Sequence, residues 1–231
     1  MKRWLILICL LLPCLGAAEG ELVLTATVSA QESALLPLPL DGEDPVLILE
    51  KGDVLTITAL GSSYCEAIAG DTPGYIPLTD IAFDILEGQP TRLGEVDVSP
   101  TNLMFGRMTL REEASGKSKG LCKLAKGRLV LMLGEEGDMY HLAVPGYIGY
   151  GLKKQISTAV EPLPYTIYYV NNDAPVHLRL DSRYGENWVV TKLEPGTPVQ
   201  LIKNPNGWAQ VEVGGQRGRM VAEFLSEEPP Q

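Results

Sequence analysis

Histidine and cysteine, the side chains that most often act as base, nucleophile or soft metal ligand, are almost missing: 231 residues hold two histidines and four cysteines. Cys9 and Cys14 fall in an N-terminal apolar stretch, which leaves Cys65, Cys122, His141 and His177. There is no Cys-x-x-Cys, no histidine pair at ligand spacing and no acidic loop of calcium-binding type, so no metal site and no cofactor is expected. His141 and His177 stand in the strand-like runs YHLAV and VHLRL. A strand position accounts for both better than a catalytic base, and no catalytic residue is assigned.

Basic residues are also scarce. Nineteen Lys and Arg face 29 Asp and Glu, a formal charge of −10. Nucleic-acid and anionic-lipid partners are excluded on this ground, because phosphate binding by counterion release needs a basic surface. Long apolar runs are absent except at the start, where Lys2 and Arg3 precede Trp4 to Leu15 and then Gly16-Ala17-Ala18. This pattern predicts a signal peptide over 1–18, cleaved after Ala18, and a secreted or extracytoplasmic, envelope-associated protein with no membrane span once the signal is removed. Pro13 beside Cys14 argues against lipid attachment. Without Lys2 and Arg3 the chain keeps 17 basic residues against 29 acidic ones, a charge of −12.

What is abundant is glycine and proline, 24 and 17 residues, between short β-rich runs. GYIPLTDIAF from Gly74 returns as GYIGYGLKKQI from Gly146 and GRMVAEFL from Gly218, each 72 residues after the last. Upstream of each, a glycine in a charged turn feeds a β run: EKGDVLTITAL at Gly52, AKGRLVLML at Gly127, EPGTPVQLI at Gly196. Leu110-Arg111 and Leu178-Arg179 lie 16 and 17 residues before the second and third of these glycines, and Leu36 lies 16 before the first. Short alternating runs between Gly/Pro turns predict strands. Each unit reads as an antiparallel meander of four or five strands, closed by a tight turn at the later glycine and one helical or 3-10 turn. The run YTIYYV, 165–170, reads as the first strand of the third unit, and ALLPLPLDG as a strand edge and loop.

The third unit, VHLRLDSRYGENWVVTKLEPGTPVQLIKNPNGWAQVEVGGQRGRMVAEFL, carries Leu178-Arg179, Gly196, Gly207-Trp208, Val211, Val213, Gly218 and Phe224-Leu225. In this it resembles the bacterial SH3-like (SH3b) domains. The second unit keeps Arg111 and GYIGYG but has Met139-Tyr140 at the Trp place. The first keeps Pro39, Gly52 and GYIPL and has Tyr64 there. The resemblance implies an all-β chain of three tandem small SH3-like antiparallel β-barrels: 19–86, 87–160 and 161–226, with a disordered tail over 227–231.

Relatives of that architecture often carry a cysteine peptidase domain. Nothing here resembles its Asp-Cys-Ser-Gly segment, and no stretch is left to build one, so the chain is expected to be non-enzymatic. The implied activity is binding or targeting, toward peptidoglycan peptide or an envelope protein; the alternative is a structural or regulatory spacer that binds one cognate protein. Groove aromatics and an arginine are the candidate ligand residues: Arg179, Tyr184, Trp188 and Trp208 in unit three, Tyr64 in unit one and Tyr140 in unit two. Tyr75 and Tyr147 follow the closing glycines and are read as structural. A disulfide between Cys65 and Cys122 is open to an exported chain, and two buried thiols are the alternative.

Overall fold

The computed structural model describes residues 22–40, 42–99, 106–162, 166–204 and 207–230. The expected signal peptide and Tyr165 lie outside them. The chain is all-β, and its strands fall into three groups of seven. The first comprises β1 (Thr25–Val28), β2 (Glu32–Leu35), β3 (Leu47–Glu50), β4 (Val54–Ala59), β5 (Tyr64–Ala69), β6 (Thr72–Pro77) and β7 (Ile81–Phe83). The second holds β8 (Leu93–Val96), β9 (Arg107–Arg111), β10 (Gly120–Ala125), β11 (Leu129–Glu136), β12 (Met139–Val144), β13 (Tyr147–Leu152) and β14 (Ile156–Ser157). The third runs through β15 (Ile167–Val170), β16 (Val176–Arg179), β17 (Val189–Leu193), β18 (Pro198–Lys203), β19 (Trp208–Val213), β20 (Gln216–Val221) and β21 (Leu225–Ser226).

One strand order serves all three groups. The second sheet runs β10-β9-β13-β12-β11-β8-β14 and the third β17-β16-β20-β19-β18-β15-β21. In the first, β6-β5-β4-β1-β7 forms one sheet and β2-β3 another, joined where Leu36 and Tyr75 exchange two backbone hydrogen bonds of 2.8 Å. Each unit has seven strands where four or five were expected; one of the additions is the short closing strand that follows the 3-10 turn Leu78–Asp80, Lys153–Gln155 or Ala222–Phe224.

The upstream glycines behave as the sequence predicts. Gly52, Gly127 and Gly196 have φ of +101°, +82° and +80°, a region costly for any residue with a Cβ. Their amides donate to Val28, Val96 and Val170, the last residues of β1, β8 and β15, at 3.0, 2.7 and 2.8 Å.

The downstream glycines require a correction. Gly146, picked out by the equal spacing, is a turn residue with φ +92°. The residue that stands in β13 where Gly74 stands in β6 and Gly218 in β20 is Gly149. These three do not turn the chain. They let a neighbouring strand come close: a Cβ on Gly74, Gly149 or Gly218 would lie 2.8, 2.4 or 2.9 Å from the carbonyl oxygen of Leu36, Arg111 or Arg179. The true separations are therefore 75 and 69 residues. The recurrent Leu-Arg place and the recurrent glycine are two sides of one strand contact.

Two of the cores share a strand. In β11, Leu129 and Leu131 pack into the first core with Leu55, Ile57 and Phe83, while Val130 and Met132 face the second with Met108 and Leu142. A strand buried on both faces reads as a continuous apolar run, and LVLML is one.

The third unit is tied to both others by its β19–β20 hairpin. Its turn, Gly214-Gly215, has positive φ at both residues, as a tight hairpin turn demands. The Gly215 carbonyl accepts from the Leu129 amide (2.9 Å), the Gly214 carbonyl from Arg128 Nη1 (2.7 Å), and the Gly127 carbonyl from the Arg217 amide (2.8 Å). Glu212, only 3% exposed, accepts from the Ser62 amide of unit one at 3.0 Å and from Arg217 Nε at 2.9 Å, and Arg217 Nη1 reaches Glu95 of unit two at 2.9 Å. At the tail expected to be disordered, residues 227–229 are exposed and Tyr168 Oη donates to Glu227 at 3.0 Å.

Three substitutions test these contacts. Gly149→Ala overpacks the Arg111 carbonyl and should cost about 1–3 kcal/mol. Gly134→Ala, with nothing within 4 Å of the new Cβ, should stay within about 0.5 kcal/mol in urea unfolding. Glu212→Ala leaves Arg217 and the Ser62 amide without their buried partner and should lose about 3–5 kcal/mol; a loss below that of an exposed pair, about 1 kcal/mol, would mean the junction is solvated.

Candidate functional site

Alternation along β19 and β20 sorts the third unit's side chains. Ala209, Val211 and Met220 are buried in its core. Trp208, Gln210 and Glu212, with Arg217 and Arg219, therefore lie on the opposite face, as Arg179 does beside buried Leu178. One end of this face is covered: Glu212 and Arg217 are under units one and two. The other end, at Trp208, is flanked by the segment 181–188 between β16 and β17.

That segment is pinned at its base. Arg179 Nη1 donates to the Gly185 carbonyl at 3.1 Å and Arg179 Nη2 contacts His177 Nδ1 at 2.9 Å. Arg111 does the same in unit two, donating from Nη1 to the Ser118 carbonyl at 2.6 Å. The recurrent arginine is thus first a loop anchor. Unit one, with Leu36 at this place, has no such tie from a side chain among the described residues. Arg107 of unit two reaches across to the Asn187 and Val189 carbonyls at 3.4 and 3.2 Å, so the far end of the segment is also held.

Tyr184 at its tip is 73% exposed and stands edge-on to Trp208, ring centroids 5.4 Å apart. The Arg179 guanidinium lies 5.5 Å from the Tyr184 ring. Arg183 stacks on Trp188 at 3.6 Å and pairs with Asp181 at 2.9 Å. Burial works against the Asp181 charge, but the hydrogen bonds from Arg183 and the Ser182 amide outweigh it and hold its carboxyl below the usual range. Arg179, Tyr184 and Trp208 form one cluster. Trp188 belongs to the adjoining Arg183 stack.

The other two candidates are elsewhere. Tyr64, 4% exposed, is buried where unit three covers unit one, around a cavity of about 30 Å³ that it lines with Glu66, Gln200 and Glu212. Its ring is packed between units one and three and is not displayed at the surface. Burial raises the Glu66 carboxyl there above its usual range, opposed by Arg128 and by the Gly214 amide. The residue that stands where Trp208 stands is Met139 in unit two, and Tyr140, one position on, packs on the second core with Lys153 5.4 Å from its ring. His141 stacks on Tyr150, centroids 4.7 Å apart, and burial lowers its pKa. The junction residues Ser62, Glu95, Glu212 and Arg217 were not foreseen; an acidic residue on a strand's outward face carries no sign that another unit will cover it.

Cys65 and Cys122 are not joined in a disulfide. They sit in different cores, Cys65 within the first and Cys122 against the second. Burial pushes the Cys65 thiol up to about 12, so no thiolate forms at neutral pH. Cys65 is expected to resist Ellman's reagent in the folded protein at mildly alkaline pH and to react once denaturant is added; rapid labelling without denaturant would contradict its burial.

No family model and no curated protein matches the chain. Solved structures align at low similarity. NlpC1 from Trichomonas vaginalis is 9% identical with a TM-score of 0.27, over 91% of this chain and 96% of that one. NlpC2 from the same organism is 8% identical at 0.26, over 90% and 100%. An NlpC/P60 family protein from Bacillus cereus is 9% identical at 0.27, over 85% and 93%. Likeness at this level assigns no residue and no activity to this chain.

Proposed function

We propose that the chain is a non-catalytic, extracytoplasmic binding protein of SH3b type that recognises cell-wall peptide or an envelope protein through the third unit. The observation that carries this is the Arg179–Tyr184–Trp208 cluster. An exposed tyrosine set edge-on to a tryptophan, over an arginine whose own loop is fixed at both ends, offers apolar ring surface and hydrogen-bond donors to an extended chain with little left to order on binding. Units one and two support the cluster: unit two holds the loop through Arg107, and unit one covers Glu212.

The same buried junction favours a second reading, in which the three units form a stiff spacer presenting this face to one cognate protein. Co-sedimentation with purified peptidoglycan sacculi separates the two. The parent protein is expected to pellet with sacculi, and Tyr184→Ala, checked for folding by circular dichroism, to remain in the supernatant. A parent that stays soluble overturns wall binding and leaves the single-partner reading, and a Tyr184→Ala protein that pellets equally moves the wall-binding surface off unit three.

A further inference from the structure

Beside the aromatic cluster, a cleft of about 380 Å³ opens between units two and three, with Glu95, Asp97 and Lys126 on one wall and Asp181, Arg217 and Arg219 on the other. Its charges are nearly all neutralised internally. Glu95 pairs with Arg217 at 2.9 Å, Asp97 with Lys126 at 2.7 Å, and Asp181 with Arg183 at 2.9 Å. Arg219 is the lining charge with no opposite partner among the described residues.

Arg219 also sits directly across from Arg179, and on its other side from Gln210. Residues directly opposite in an antiparallel pair share a face and stand close together, and like charges in that relation repel. Neither arginine has a carboxylate partner among the described residues. Each guanidinium carries five N–H donors, and Arg179 uses two nitrogens on Gly185 and His177, so donors remain on both. Their planar forks fit the two oxygens of a carboxylate, and an anion placed between them would relieve the repulsion as well as fill the donors.

We infer that the Gln210–Arg219–Arg179 row is a carboxylate-binding subsite, so the ligand of this face is an extended peptide with an acidic group placed beside an apolar or aromatic residue that packs on Tyr184 and Trp208. The inference rests on the reading of this face as a ligand surface and adds the chemistry of its ligand. The chain's overall charge of −10 repels acids at long range, so recognition here depends on the local pair rather than on the field of the whole molecule.

Three synthetic peptides test it on the intact protein: N-acetyl-Phe-Glu-Ala-amide, with a side-chain carboxylate; N-acetyl-Phe-Gln-Ala, with a terminal one; and N-acetyl-Phe-Gln-Ala-amide, with none. Binding is read from NMR shifts of the tryptophan indole and arginine Nε–H signals. At least one acidic peptide is expected to bind about tenfold or more tighter than the neutral one. The advantage should shrink at high salt and disappear in Arg219→Gln. The salt dependence of the parent keeps the test decisive if that variant fails to fold. Equal binding of all three overturns the carboxylate subsite and leaves the ligand surface standing. No binding of any peptide overturns the subsite, and sedimentation with sacculi decides separately whether the face binds cell wall.

Discussion

The arrangement of the molecule depends on one buried ion pair. Glu212 and Arg217 belong to neighbouring strands of a single hairpin, yet their remaining hydrogen-bonding capacity is met by other units: Ser62 from the first and Glu95 from the second. A buried pair of this kind earns little net stability over apolar residues of the same shape, because desolvation offsets most of the attraction. What it does impose is geometry. The docking of the hairpin supplies this pair with partners from both neighbouring units, and glycine at 127 and 215 permits the close approach, since a Cβ at either would come within 2.2 or 2.3 Å of a carbonyl oxygen.

That docking has consequences on both sides. Toward unit one it buries Tyr64, and so removes a surface that a free unit would have exposed. Toward unit two it sets β16 and its loop beside β9, where Arg107 can reach the Asn187 and Val189 carbonyls. With β11 divided between the first two cores, unit one completes its packing with Leu129, Leu131 and Ala143 of unit two, whereas the third core is built from its own unit. The open face of unit three is therefore shaped by all three units, although every aromatic on it comes from one.

Much of this was legible in the sequence. Glycines with forced positive φ recur at 52, 127 and 196 because no other residue makes that turn cheaply, and the alternation of short β runs between them identified an all-β chain. Arg179, Tyr184 and Trp208 were named together from the resemblance to SH3-like barrels; Tyr184 stands in a loop, whereas Arg179 and Trp208 stand at strand ends. The slip from Gly149 to Gly146 has a physical origin: GYIGYGL offers three glycines, and spacing cannot tell a turn glycine from one that admits a neighbouring backbone. The burial of Tyr64 and the contact at Glu227 were not legible for another reason. Whether a ring is covered by a second unit, or whether Glu227 meets the Tyr168 hydroxyl, depends on contacts between segments far apart in the chain, which local pattern does not encode.

The arginine tie at the base of the loop separates what the loop contains from where it is held. Eleven residues stand between β2 and β3, eight between β9 and β10, and nine between β16 and β17. In the two later cases one guanidinium holds a backbone carbonyl seven or six residues on, a contact that ignores the side chains in between. Such a loop behaves as a cassette. Its tip can change length and character while the strands beneath keep their register, so variation in the loop need not disturb the buried junction that orients the units.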